Sequence, residues 1–268
     1  MTQRRVAVIG RGRVGRSFAR ALARVEADVT LWPGRGPWLA GAGMVGLMII
    51  AVPDDAIAGV AAALAGSGAV TPDTVVLHTS GLRDRSALRG LDATGAALGS
   101  FHPLQTFADA DGDPDALCAA PAVIEGDARA LVAARELAVV LGMDRVVEIA
   151  GDRKPLYHAG AVFASNYLVG LADIAVRLMH EAGIANADVE LILPLMRQTL
   201  DNLRDGPAAA LTGPVRRGDA GTVTAHLAML GEPERTLYRM LALQSLYVAT
   251  AAGVPADQVR AMADLLDY

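Results

Sequence analysis

Lysine is almost missing from this chain: its 268 residues hold a single one, Lys154, against 23 arginines. A protein that writes nearly every cation as arginine makes little surface use of lysine. The exception therefore marks a position where a compact, titratable ammonium is wanted and a permanently charged guanidinium fails. Cysteine is equally scarce, and Cys118 alone excludes an intramolecular disulfide and a thiol-based metal cluster. The five histidines show no paired ligand spacing, which argues against metal catalysis. Basic runs are missing too. The net charge of -5 and pI near 5.5 argue against a general nucleic-acid binder, although Arg4, Arg5, Arg11, Arg13 and Arg16 crowd the N-terminus. Arg4-Arg5 runs directly into Val-Ala-Val-Ile, so no signal peptide is expected. The longest apolar stretch, 159–176, is interrupted by Ser165, Asn166 and Asp173 and reads as a buried core helix rather than a membrane span. The expectation is a soluble cytoplasmic protein with no membrane partner.

With 53% hydrophobic residues there is material for one large core or two smaller ones. Apolar runs at 5–10, 28–32, 47–52, 74–78, 96–101, 122–124 and 145–149 predict strands. Helix-like segments at 14–24, 55–64 and 128–141 lie between several of them. Such alternation predicts a Rossmann-type α/β domain, a mostly parallel sheet covered on both faces. From Gly151 onward the pattern is helical throughout, with breaks at Gly183, Gly206, Gly213-Pro214, Gly231 and Gly253. The chain thus reads as an α/β domain over 1–150 followed by an all-α domain over 151–268.

Gly10, Gly12 and Gly15 follow an apolar strand and precede a helix, the context of a dinucleotide-binding turn. The first glycine permits the tight turn, the second admits a pyrophosphate, and the third lets helix and strand pack closely. An NAD site usually carries an acid at the end of the second strand. Here that strand runs Leu31-Trp32-Pro33-Gly34-Arg35 with no acid. Arg35, with Arg11 and Arg13 inside the turn, favours a 2′-phosphate and hence NADP(H). Val14 completes the turn, and Val52-Pro53, at the end of the third strand, should border the cofactor. The segment between Trp32 and Leu47 is too short for a full crossover helix and another strand.

In an open α/β sheet, ligands sit beyond the carboxyl ends of the strands. The loops His78-Thr-Ser80-Gly81 and Ser100-Phe-His102-Pro-Leu-Gln105 therefore offer Ser80 and His102 to a substrate. In the helical region, His158 and Ser165 fall within about 20° of one another at ~100° per residue. Ala161 lies on the same stripe and Asn166 borders it. Lys154 precedes Pro155, which disfavours helical conformation there and places Lys154 at a helix start. Thr212, Arg217, Asp219 and His226 surround a Gly-Pro break, where Arg217 could meet a carboxylate and Asp219 reads as a helix start. Glu232-Pro233-Glu234 reads as another.

These residues carry a resemblance. Gly151-x-x-Lys154-x-x-x-His158 is similar to the helix start of β-hydroxyacid dehydrogenases and ketopantoate reductases, with His158 where those enzymes have Asn. More closely, His78-Thr-Ser-Gly81, Ser100 to Gln105, Tyr157 to Asn166 and Thr212 to Asp219 resemble a bacterial family of Rossmann-like oxidoreductases whose C-terminal domain is classified as domain of unknown function 2520. The resemblance implies a fold related to pyrroline-5-carboxylate reductase and 6-phosphogluconate dehydrogenase, and a homodimer formed through the helical domain. Together the residues and the resemblance lead to an expected NADPH-dependent reductase. It would transfer a hydride to a small-molecule substrate, either a ketopantoate-like keto acid, which brings a carboxylate, or an imine. Lys154 is the first choice of proton donor, with pKa lowered by desolvation. His158 is the other candidate acid, and Ser80, His102 and Asn166 would position the substrate. A non-catalytic NADP-binding or regulatory protein is the alternative, and a deazaflavin cofactor is not excluded by the glycine turn.

Overall fold

The computed structural model describes residues 5–36, 38 and 45–267. The chain forms two compact units, Met1–Tyr167 and Leu168–Tyr268.

In the first unit, strands β1 (Arg5–Ile9), β2 (Val29–Trp32), β3 (Val45–Ile50), β4 (Val75–His78), β5 (Ala97–Pro103), β6 (Ala122–Gly126) and β7 (Val146–Glu148) form one sheet of order β2-β1-β3-β4-β5-β6-β7. All neighbours are parallel except β5 and β6. The central strands are continuous apolar runs because both their faces are covered. Alternate side chains divide between the faces. Val6, Val8, Leu47, Ile49, Val75 and Leu77 pack against Phe18 and Leu22 of α1 (Arg13–Arg24) and against Ala134 and Leu137 of α4 (Ala128–Val140). Ala7, Ile9, Met48, Ile50 and Val76 pack against Ile57 and Leu64 of α2 (Ile57–Ser67) and against Leu88 and Leu91 of a 3-10 helix, Arg85–Thr94. Each such buried side chain contributes roughly 1.5–3 kcal/mol. A short helix, α3 (Pro114–Ala119), is capped by Asp113 and lies between β5 and β6 in sequence.

Two departures from regular parallel winding shape the sheet. Strand β3 lies on the far side of β1 from β2, so β2 is an edge strand. Strand β6 runs antiparallel to β5 in close approach: a Cβ at Gly99 would lie 2.6 Å from the Glu125 carbonyl oxygen. The register that results sets Glu125 opposite Ser100.

The first unit extends beyond residue 150, through a 3-10 turn (Gly151–Arg153) and α5 (Lys154–Ala164), to Tyr167. Helix α6 (Asn166–Glu181) begins after a break at Ser165. The expectation of a buried core helix over 159–176 is not met. Within the helical stretch Gly151–Glu181 the most apolar 18-residue window has a mean hydropathy of 1.5, enough by length and composition to cross a membrane, yet that window is not buried within this chain. Its large apolar side chains point outward, with Phe163 70% and Val169 71% exposed. Lys154 is the one buried residue of α5.

The second unit contains α7 (Val189–Asn202), the short helices α8 (Pro207–Ala210) and α9 (Pro214–Arg217), then α10 (Ala220–Met229), α11 (Glu234–Ala251) and α12 (Ala256–Leu266). Its core joins Val223 and Leu227 of α10 to Ala242 and Leu246 of α11 and to Met262 and Leu266 of α12. Asp219 caps α10, accepting from the Thr222 N–H at 3.0 Å, and Glu234 opens α11.

Candidate active site

The glycine turn has the geometry its sequence implies. Gly10 adopts φ +117°, and a Cβ there would meet the Ala51 carbonyl oxygen at 2.1 Å. A Cβ at Gly15 would stand 1.9 Å from the Gly10 carbonyl oxygen. Gly12 is different: nothing lies within 4 Å of its Cβ position, and it is the N-cap of α1 with no capping side chain. The first turn of α1 is therefore free to direct N–H groups and the positive end of its dipole at an anion. Arg11 and Arg13 are exposed beside it, and Val14 is half-buried. Beyond β2 and β3 lies a cavity of about 650 Å³ lined by Gly34, Arg35, Trp38, Val52 and Pro53 among others. The structure thus gathers the sequence candidates Arg35, Val52 and Pro53 around one cavity near the turn, and no acid ends β2.

Farther along the strand ends, Lys154 lies in a polar cluster rather than facing an open cleft. It is fully buried. Its Nζ donates to the Ser80 carbonyl oxygen at 2.9 Å and to Ser100 Oγ at 2.7 Å. Ser100 Oγ in turn donates to Glu125 Oε2 at 3.2 Å, which also accepts from the Arg85 N–H at 2.9 Å. The hydroxyl bridges an ammonium and a carboxylate, both largely out of water. Burial lowers the Lys154 pKa to about 8 against the opposing pull of Glu125. Burial raises that of Glu125, opposed by the Lys154 charge. A guanidinium, with its wide planar fork of five donors, would find too few acceptors here. Desolvation and the lowered pKa are what the sequence argument expected of Lys154, while its ammonium is directed at Ser80 and Ser100. Lys154 is also already helical, at φ -56° and ψ -40°. Pro155 in the first turn needs no hydrogen-bond partner for its nitrogen, so the helix begins there without loss.

Ser80 belongs to the same cluster. Its Oγ donates to Asp54 at 2.8 Å and accepts from the N–H groups of Leu82 and Arg83 at 3.1 and 2.9 Å. His78, fully buried, accepts the Ser80 N–H at Nδ1 and donates from Nε2 to the Asp84 carbonyl oxygen at 3.0 Å. Burial, reinforced by the Lys154 charge, lowers the His78 pKa to about 4.

In front of this cluster opens a cavity of about 510 Å³, lined by His102, Leu104, Gln105, Tyr157, His158, Ala161, Ser165 and Asn166 among others. The stripe His158, Ala161 and Ser165 faces it, with Asn166 at its border. His102 Nδ1 and the Tyr157 hydroxyl are 2.6 Å apart. Burial, with the nearby charges of Lys154 and His158, lowers the His102 pKa to about 4, and burial raises Tyr157 to about 12. Of the sequence candidates, His102, His158 and Asn166 thus share one cavity, while Ser80 and Lys154 stand behind it. Sequence reasoning missed Tyr157 as a partner of His102, and Asp54, Ser100 and Glu125 as partners of the Ser80–Lys154 cluster. Only Tyr157 carried a local signal, since it is adjacent to His158. Thr212, Arg217 and His226 are exposed in the second unit, where His226 Nδ1 lies 3.0 Å from the Tyr238 hydroxyl.

Comparison with known proteins divides the chain differently, with the second match beginning inside the first unit. Residues 120–245 match the family model for domain of unknown function 2520, and residues 39–103 match a Rossmann-like domain. The chain joins a Rossmann-like domain to a domain of unknown function 2520. No curated protein matches the chain. Among solved structures, it is similar to a Bacteroides fragilis protein provisionally named an NADP oxidoreductase (22% identity, 90% of this chain and 96% of that one, TM-score 0.71). It is similar to a Thermotoga maritima protein at 24% identity over 92% and 98% of the two chains, TM-score 0.69. More distantly it resembles Plasmodium falciparum pyrroline carboxylate reductase with NADP bound, at 12% identity over 99% of each chain, TM-score 0.53. These likenesses establish the Rossmann-like fold.

Proposed function

We propose that this DUF2520 protein is a cytoplasmic NADP(H)-dependent reductase acting on a small carbonyl or imine compound. The observation that carries the reading is the open N-terminus of α1 at Gly12, flanked by Gly10 and Gly15, whose Cβ positions are filled by backbone. This turn fits a dinucleotide: Gly10, Gly12, Val14 and Gly15 would hold the pyrophosphate, with Arg11 and Arg13 beside it. Arg35, with Val52 and Pro53, would border the adenosine end, and the missing acid after β2 supports NADP(H) over NAD(H). When bound, the reduced nicotinamide supplies a hydride. Solved relatives named as an NADP oxidoreductase and a pyrroline carboxylate reductase with NADP bound support the same reading.

The cavity bordered by His102, Tyr157, His158 and Asn166 would take the substrate. A keto acid and a cyclic imine both suit its size and the few polar side chains set in its mostly apolar lining. Ser80 and Lys154 act from behind the cavity wall by holding the β4 and β5 loops together. The chain is proposed to work as a homodimer, because Leu156, Phe163, Tyr167 and Val169 are each more than half exposed along α5 and α6. A non-catalytic NADP(H)-binding protein is the second reading, and the inward-facing Lys154 favours it. Fluorescence titration with NADPH and NADH tests the shared part: tight, NADPH-selective binding is expected, and Arg35→Ala should weaken NADPH but not NADH. Binding of neither nucleotide would remove the reading. Turnover of any keto acid or imine then separates the enzyme from the binding protein.

A further inference from the structure

Two opposite charges line the cavity beyond β2 and β3 without pairing. Arg35 and Asp55 both border its space of about 650 Å³, and neither has an ion-pair partner among the described residues. Arg83 and Arg89, which share a second cavity with Asp55, do not pair with it either. The neighbouring carboxylate is different, because Asp54 accepts from Ser80 Oγ at 2.8 Å. A guanidinium and a carboxylate left open on one hollow complement a ligand that carries both an anion and a hydrogen-bond donor.

The rest of the lining suits a flat body. Ala56, Gly59 and Ala63 border the cavity and recur at i, i+3 and i+7, which puts them on one face at the start of α2. A Cβ on Gly59 would meet nothing within 4 Å. Trp38 borders the same space. Its Nε1 donates to the Pro33 carbonyl oxygen at 3.0 Å, and the Gly36 backbone packs on the indole, since a Cβ there would stand 3.5 Å from a ring carbon. Small side chains beside a fixed aromatic wall leave room for a planar base.

We propose that Asp55 reads the base of the dinucleotide: its carboxylate accepts from the 6-amino group of adenine, while Arg35 meets the 2′-phosphate within the same cavity. The proposal rests on the reading of this cavity as the adenosine end, and it holds for a reductase and for a binding protein alike. The adenosine end of NADP(H) brings one amine and one extra phosphate, the two groups that Asp55 and Arg35 complement. A carboxylate has acceptors only. A base with an oxygen in place of the amine would turn a lone pair toward it, so Asp55 selects by repelling the wrong base as well as by binding the right one.

The test is fluorescence titration of the full chain with NADPH and with reduced nicotinamide hypoxanthine dinucleotide phosphate. The second nucleotide carries an oxygen in place of the 6-amino group and keeps the fluorescent nicotinamide. It should bind on the order of 10- to 100-fold more weakly than NADPH, the effect of losing a hydrogen bond to a charged group. Asp55→Asn, whose amide can donate or accept, should make the two nucleotides bind nearly alike. Asp55→Ala should weaken NADPH toward the affinity of the hypoxanthine nucleotide. Asp55 is exposed, so both variants should keep the thermal midpoint of the wild type. Equal binding of the two nucleotides by the wild type overturns the proposal, as does a preference for adenine that survives in both variants. Gly59→Leu tests the placement of adenosine separately: its side chain enters the cavity and should weaken both nucleotides by about 10-fold or more. Unaltered binding by Gly59→Leu, or failure of the wild type to bind either nucleotide, overturns the adenosine reading itself and the proposal with it.

Discussion

Replacing Lys154 by Met keeps the length of the side chain and deletes the ammonium, which isolates the electrostatics of the buried cluster. The Ser80 carbonyl and Ser100 Oγ lose a charged donor, and Glu125, 9% exposed, is left with no cation across the Ser100 hydroxyl. Breaking a buried pair on one side costs about 3–5 kcal/mol. The hydroxyl bridge and the remaining Arg85 N–H donor put Lys154→Met at the lower end, about 3 kcal/mol, with Glu125 partly relieved by taking up a proton. Glu125→Gln alone leaves the ammonium uncompensated and should cost about 2–3 kcal/mol. The double variant removes both charges and should be much less unstable than the sum, with a coupling of at least about 1.5 kcal/mol. Both tryptophans, Trp32 and Trp38, are buried in the first unit, so urea unfolding followed by tryptophan fluorescence reports on that unit alone. At about 2–3 kcal/mol per molar urea, Lys154→Met should lower the midpoint by about 1–1.5 M. Additivity within about 0.5 kcal/mol would show that Lys154 and Glu125 do not sense each other and would refute the bridged-pair account.

The pH dependence of stability carries its own sign. His78 and His102 are held near pKa 4 in the fold, below the ordinary value of 6.5, so the unfolded chain binds more protons between those values. Stability should fall as pH drops from 6.5 toward 4, by about 3 kcal/mol for each ring, and urea midpoints that stay flat between pH 7 and pH 5 would contradict it. Phe163, 70% exposed and stacked edge to face on Tyr167 at 4.9 Å, lies in the apolar face proposed to join two copies. Sedimentation should give twice the 27.7 kDa chain mass for the wild type and a single chain for Phe163→Asp; a monomeric wild type at micromolar concentration would sink the dimer.

What the sequence made legible divides along physical lines. The strands could be placed because each is a short apolar run bounded by polar or glycine-containing turns, and the glycine turn because its steric demands are local. That His102, His158 and Asn166 lie near one another was legible because loop position and helical period are also local properties, and the three do line one cavity. Glu125 and Ser100 could not be paired from sequence, since their meeting depends on an antiparallel strand and its register across 25 residues. The exposure of α5 and α6 was misread for a related reason. An apolar helix in a core and one awaiting a partner surface have the same composition. Rarity drew attention to Lys154, which is buried in a polar cluster, but rarity carries no information about the direction in which a side chain points.

The close backbone contact of Gly99 with Gly126 also bears on how this protein can vary in length. Slipping β6 by one residue would place Ile124 or Gly126 opposite Ser100 and turn the carboxylate to the other face of the sheet. Glycines pressed together at that crossing act as a latch on the alignment, since any side chain there would force the strands apart. Insertions or deletions are therefore tolerable in the exposed 108–110 segment, but not within the paired residues, nor where Gly112, Pro114 and Leu117 are buried against α1 and the core. For anyone grafting new loops onto this scaffold, that pairing is the boundary between sequence that can be rewritten and sequence that sets the charge balance of the interior.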